Sequence, residues 1–128
     1  MEAQEYLKEI QTQLLASFAV ATFSVIEDYA LPERGYFRAR LTLSNGEFLE
    51  IAEYFTVEEG RCVTQRYRYQ WMDKSQQVLR KRWDNVKHFP HLPNFPHHVH
   101  IGEESNVEPS RSLSIVELID ILEQELGA

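Results

Sequence analysis

All five histidines of this 128-residue chain lie in one stretch, His88-Phe-Pro-His91-Leu-Pro-Asn-Phe-Pro-His97-His98-Val-His100. Imidazole changes charge nearest neutral pH, so it serves readily as acid, base or metal ligand. Pro90, Pro93 and Pro96 run through the same stretch. Proline fixes φ and removes a backbone donor, which predicts an extended, stiff loop rather than a helix or a paired central strand. Just upstream stands Arg82-Trp83-Asp84-Asn85. A guanidinium there suits a phosphate, and Asp84 can orient a histidine as the third member of a relay does. The catalytic candidates are therefore His97, His98 and His100 with Arg82 and Arg66, supported by Asp84, Asn85, His88 and His91. In an extended segment His98 and His100 point one way and His97 the other, so the three do not converge on a metal. A zinc site needs His88, His91 or a carboxylate brought round. The expectation is no metal and no cofactor, with a metal-dependent enzyme kept as an alternative.

Charge narrows the substrate class. The net charge of −7 argues against general nucleic-acid binding, but residues 61–88 carry eight Lys/Arg against Asp73 and Asp84, a local +6 with −13 elsewhere. Such a chain can hold a phosphate-rich ligand in one place and repel it elsewhere. The same asymmetry suits pairing of two copies. Alternation across strands puts Arg38, Arg40, Arg66, Arg68, Arg80 and Arg82 on one sheet face, where guanidinium forks pair with phosphate oxygens. Tyr36, Tyr54 and Phe95 add surface for stacking unpaired bases. The plain alternative is a solvated face balanced by acids.

The elements that must position these residues are legible in outline. Ala3, Leu7, Ile10 and Leu14 recur at helical spacing over residues 2–15. A weakly patterned strand is expected from Phe18 to about Ile26. Phe37, Ala39, Leu41 and Leu43 alternate with polar residues, and Ser44-Asn45-Gly46 then signals a hairpin into Glu47–Val57. Cys62–Met72 and Val78–Trp83 continue an antiparallel meander of four to five strands. Ser114-Ile-Val-Glu117 is a capping box opening a last helix that ends at Gly127. The fold class is α+β, one domain over 1–128, with an N-terminal and a C-terminal helix on one sheet. The buried set expected is Leu41, Leu49, Ile51, Val63, Tyr69 and Trp71 beneath Leu7, Ile10, Leu118 and Leu122. One cysteine, Cys62, excludes an internal disulfide and suits a reducing, cytoplasmic setting. The acidic start lacks a signal-peptide pattern, and no apolar run is long enough to span a membrane.

Read together, Arg66-Tyr-Arg-Tyr-Gln-Trp71-Met-Asp73, Arg82-Trp-Asp-Asn85, Phe95-Pro-His-His-Val-His100 and Val107-Glu-Pro109 resemble the TumE family of small prokaryotic proteins over roughly residues 35–125. The resemblance implies the toxin half of a two-gene module, neutralised by an antitoxin protein encoded beside it. It assigns no catalytic role to any residue. The order of helix then meander is also similar to small ribonuclease toxins of the RelE and barnase kind, a likeness of fold that does not fix function. The reading favoured at this stage is a toxin acting on RNA as a metal-independent ribonuclease, with Arg38, Arg40, Arg68, Arg80 and Tyr54 holding the strand. A non-catalytic module binding nucleic acid or protein, with structural histidines, is the other alternative.

Overall fold

The structure is a computed structural model describing residues 1–127. Helix α1 (Ala3–Ala16) leads into seven strands, β1 (Val20–Ala30), β2 (Arg34–Leu43), β3 (Phe48–Glu58), β4 (Arg61–Met72), β5 (Leu79–Asp84), β6 (His98–Ile101) and β7 (Val107–Pro109), and helix α2 (Ile115–Leu126) closes the chain. The strands form one antiparallel sheet in sequence order, each paired with the next. The architecture is α+β, as the patterning predicts, but with seven strands instead of four to five.

The extra strands lie in and just after the histidine segment. The three prolines all precede His97, so the amides of His98, Val99 and His100 are free to pair, and β6 adds to β5. The expectation of an unpaired stiff loop is corrected for this half of the segment. β7 then joins β6 and completes the sheet.

One sheet face is covered by both helices. Leu41, Leu49, Ile51, Tyr69 and Trp71 are buried there with Leu7, Ile10, Leu118 and Leu122, as expected. Val63 is not: it is 37% exposed. Tyr54 pairs with Arg66 and Phe55 with Thr64, leaving Gln65 as an extra residue. A one-residue bulge turns every earlier side chain of the strand to the opposite face.

A charged group sits inside this core. Glu53 is fully buried, yet it accepts hydrogen bonds from the Tyr6 hydroxyl (2.8 Å), the Thr64 hydroxyl (2.8 Å) and the Ile115 amide (2.9 Å). It thereby ties α1, β4 and the start of α2 to β3. Burial pushes its pKa above the ordinary glutamate value, although those three bonds pull the other way. The α2 start is fixed further by the predicted capping box, in which Ser114 accepts from the Glu117 amide and Glu117 from the Ser114 amide.

Candidate functional site

The opposite face carries no helix, and pairing lays its side chains out in three rows across the strands. The first row runs Tyr29, Tyr36, Tyr54, Arg66. The second runs Glu27, Arg38, Ala52, Arg68, Asp84, His98, and the third Ser24, Arg40, Glu50, Gln70, Arg82, His100. Cross-strand neighbours share a face, so register alone brings Asp84 opposite His98 and Arg82 opposite His100.

The right-hand ends of the second and third rows form the densest cluster. Asp84 is buried and accepts from the Val86 amide through Oδ1 (3.1 Å) and from Arg82 Nε through Oδ2 (3.2 Å). His98 Nε2 lies 2.9 Å from Asp84 Oδ1, while His98 Nδ1 lies 2.9 Å from the Pro96 carbonyl. Both ring nitrogens of His98 are therefore engaged, one by the carboxylate and one by the carbonyl. His100 differs. Its Nδ1 donates to the Glu104 carbonyl (2.8 Å), and its Nε2 lies 3.8 Å from Asp84 Oδ2, beyond hydrogen-bond reach. Nε2 of His100 is thus the one ring nitrogen of the two histidines without a hydrogen bond.

These groups border a cleft of about 370 Å³ that is also lined by Arg68, His88 and Phe89. Phe89 takes a left-handed backbone conformation (φ 58°) and sets its ring edge-on to His98 (5.1 Å) and His100 (5.9 Å). Bulky residues avoid that conformation, and strain of this kind collects at functional sites. Arg82 reaches past Asp84 to grip both oxygens of Glu104, a residue 66% exposed in its side chain. That hydrogen bond to Arg82 holds the Glu104 carboxyl below the usual range.

A second hollow, about 480 Å³, adjoins the cleft through Arg68 and Val86. Its aromatic wall is Tyr29, Tyr36 and Tyr54. Tyr29 and Tyr36 stack at 5.9 Å, and Arg66 lies 4.8 Å above the Tyr54 ring.

Several sequence-predicted residues are placed elsewhere. His97 turns away from the cleft, its Nδ1 2.9 Å from the Tyr67 hydroxyl and its ring stacked on Tyr67; burial, and then His98, lower its pKa. Arg80 is the extra residue of a bulge between the Trp71–Lys81 and Met72–Leu79 pairs. It leaves the arginine face and pairs with Glu47, which also accepts from Trp71 Nε1. Arg38 and Arg40 share Glu50, so the acid-balanced reading holds at that corner. Arg66 and Arg68 pair with no carboxylate among the described residues; Arg68 Nη2 donates to Gln70 Oε1. Asn85 bridges strands, accepting from the Tyr67 amide and donating to the Gln65 carbonyl. His91 and Phe95 are exposed and line neither hollow. Sequence reasoning missed Glu104, Phe89, Glu27 and Tyr29. The first two depend on loop folding, whereas Glu27 and Tyr29 follow once β1 is given its register.

Residues 8–126, nearly the whole chain, match the family model described as Toxin TumE. The chain belongs to the TumE toxin family. Comparisons with curated proteins and with solved structures give no match. The Arg82-Trp-Asp-Asn85 and Phe95–His100 motifs lie within the matched span, and in this TumE-family chain they meet as neighbouring strands β5 and β6. No helix is long and apolar enough to cross a membrane among the described residues.

Proposed function

We propose that this TumE-family toxin acts on single-stranded RNA as a metal-independent ribonuclease, with the cleft between β5 and β6 as its reaction centre. The observation that carries the reading is the pairing of Arg82 with His100 and of Asp84 with His98 beside Arg68, which makes no salt bridge among the described residues. In metal-free RNA cleavage a base removes the 2′-hydroxyl proton, the 2′-oxygen attacks phosphorus, and the 5′-oxygen leaves with a proton from an acid. His100 Nε2, oriented by the Glu104 carbonyl, supplies the base. His88, exposed on the same cleft, supplies the acid. Arg82 and Arg68 stabilise the crowded phosphate, with the phosphate replacing the Glu104 carboxylate on the Arg82 fork. Asp84 and His98 are positioning residues: Asp84 fixes Arg82, and His98 holds Asp84 from the neighbouring strand. The antitoxin implied by the family would neutralise the toxin by covering this cleft.

A metal-dependent reading has one specific observation in its favour. Asp84, His98 and His100 each offer a ligand atom, all within 4.8 Å of one another. The carboxylate needed to complete a histidine site is thus brought round, and both imidazoles present Nε2 while Nδ1 is anchored on a carbonyl, as metal-bound histidines commonly do. Arg82 on the same carboxylate opposes a second cation and favours the metal-free mechanism.

Incubating purified protein with single-stranded RNA, with and without chelator, separates the readings. Cleavage that survives chelation supports the first. Loss on chelation with recovery on added zinc or manganese supports the second. Salt-sensitive binding without cleavage leaves a nucleic-acid-binding module with structural histidines.

A further inference from the structure

The tyrosine-lined hollow is not used by the chemistry above. It is open, aromatic on one wall and polar on the other, and it shares Arg68 and Val86 with the cleft. Ala52 sits in the middle row between Arg38 and Arg68, with Tyr54 of the same face two residues along. A small side chain among long ones makes the depression. Glu27 stands at the far end of Ala52's row, on edge strand β1, and is exposed. Its cross-strand neighbour Arg38 turns to Glu50 instead, so the Glu27 carboxylate keeps both acceptor oxygens for a ligand. Arg66, stacked on Tyr54, offers donors from the other side.

We infer that this hollow is a nucleobase subsite that selects guanine in the nucleotide adjoining the phosphate held in the cleft. The inference rests on the RNA reading for its substrate and deepens it. An unpaired base can lie against tyrosine rings, whereas a base inside a duplex presents no free face. Volume admits any of the four bases: the hollow, about 480 Å³, exceeds what a single base fills. Hydrogen-bonding pattern therefore decides. A carboxylate accepts from two adjacent donors, and guanine alone among the RNA bases presents such a pair on one edge, N1–H with the 2-amino group. Guanine also presents O6 and N7 as acceptors, the pattern that arginine reads. Glu27 and Arg66 match both edges of the same base. Adenine and cytosine each offer Glu27 one amino group, and uracil one imide N–H.

The test uses the intact protein and four mononucleotides, GMP, AMP, CMP and UMP, titrated at low salt while the tyrosine ring resonances are followed by NMR. GMP is expected to bind about tenfold or more tightly than the others. Glu27→Gln, on an exposed position of an edge strand, should erase that preference and leave weak binding of all four. Tyr54→Ala should weaken all four together, by about five- to a hundredfold, because stacking is indifferent to base identity. Equal binding of the four nucleotides, no binding of any, or a guanine preference that survives Glu27→Gln overturns the inference. RNA cleavage by the unsubstituted protein, measured beside these titrations, separates the two claims. Guanine preference retained in a protein that never cuts RNA upholds the subsite and sinks the ribonuclease. RNA cut without regard to base upholds the ribonuclease and sinks the subsite.

Discussion

Replacing Asp84 with asparagine probes the centre with the smallest change of shape. In the native protein Oδ1 faces the Val86 amide and His98, and Oδ2 faces Arg82 Nε. An asparagine amide must put its NH₂ on one of those two positions. Placed at Oδ1 it opposes the Val86 N–H; placed at Oδ2 it opposes the Arg82 N–H. Either way one part-buried donor loses its acceptor, at a cost of about 1–3 kcal/mol. The lost charge also leaves Arg82, whose side chain is 13% exposed, relying on Glu104 alone. Breaking a buried ion pair costs about 3–5 kcal/mol when nothing replaces it, and the retained Glu104 contact reduces that. The total expected is about 2–4 kcal/mol, or a fall in Tm of about 8–16 °C for a chain of this size. Thermal unfolding followed by circular dichroism reads this directly. Growth inhibition and RNA cleavage, assayed well below the lowered Tm, should fall by about 10²–10⁴ because His98 loses its anion and Arg82 its anchor. An Asp84→Asn protein with native Tm and full toxicity would show that the hydrogen bonds and ion pairs drawn to Asp84 do not hold the site together.

Further outcomes concern Glu53, Glu47, Glu104 and the histidines. Glu53→Ala leaves the Tyr6 and Thr64 hydroxyls and the Ile115 amide without an acceptor, and chemical denaturation should show a loss of about 3–5 kcal/mol. Because burial raises the Glu53 pKa, the folded chain binds this proton more tightly than the unfolded chain. The Glu53 contribution therefore falls as pH climbs from the ordinary 4.5 through the raised folded value, and Glu53→Gln should flatten that slope in a series of melts. Glu47 carries the opposite sign: burial raises its pKa, but bonds from Asn45, Arg80 and Trp71 outweigh this, so its contribution is complete above pH 4.5 and lost as pH falls through the lowered value, a loss that Glu47→Gln should remove. Glu104→Ala frees the Arg82 fork and should tighten salt-sensitive binding of single-stranded RNA in filter assays, whereas unchanged binding would remove Arg82 from the phosphate site. His100→Ala should abolish growth inhibition beyond what its own fall in Tm accounts for, the ring being buried, while His97→Ala should lower Tm with activity falling only in step, since its ring packs on Tyr67.

How far the sequence reached depends on how local each signal was. Period-2 alternation in β2 and β3 and period-3.6 spacing in α1 and α2 named the covered face correctly, because those patterns are written in consecutive residues. The cap at Ser114 and the turn at Asn45-Gly46 are equally local. Alternation also implied that His98 and His100 share a side and His97 does not, and the structure agrees. What alternation could not carry was parity across a bulge. The extra residues Gln65 and Arg80 each shift the register by one, so Val63 is turned outward and Arg80 toward Glu47. Glu53 sat in plain view at a core position between Ile51 and Phe55, but a lone glutamate there has meaning only once Tyr6, Thr64 and Ile115 arrive from distant segments. The proposed reaction centre itself is a tertiary product. Sequence supplied an aspartate, an arginine and a run of histidines; only the pairing of β6 with β5 placed Asp84 against His98 and Arg82 beside His100, because strand register is fixed by packing and hydrogen bonds between segments far apart in the chain.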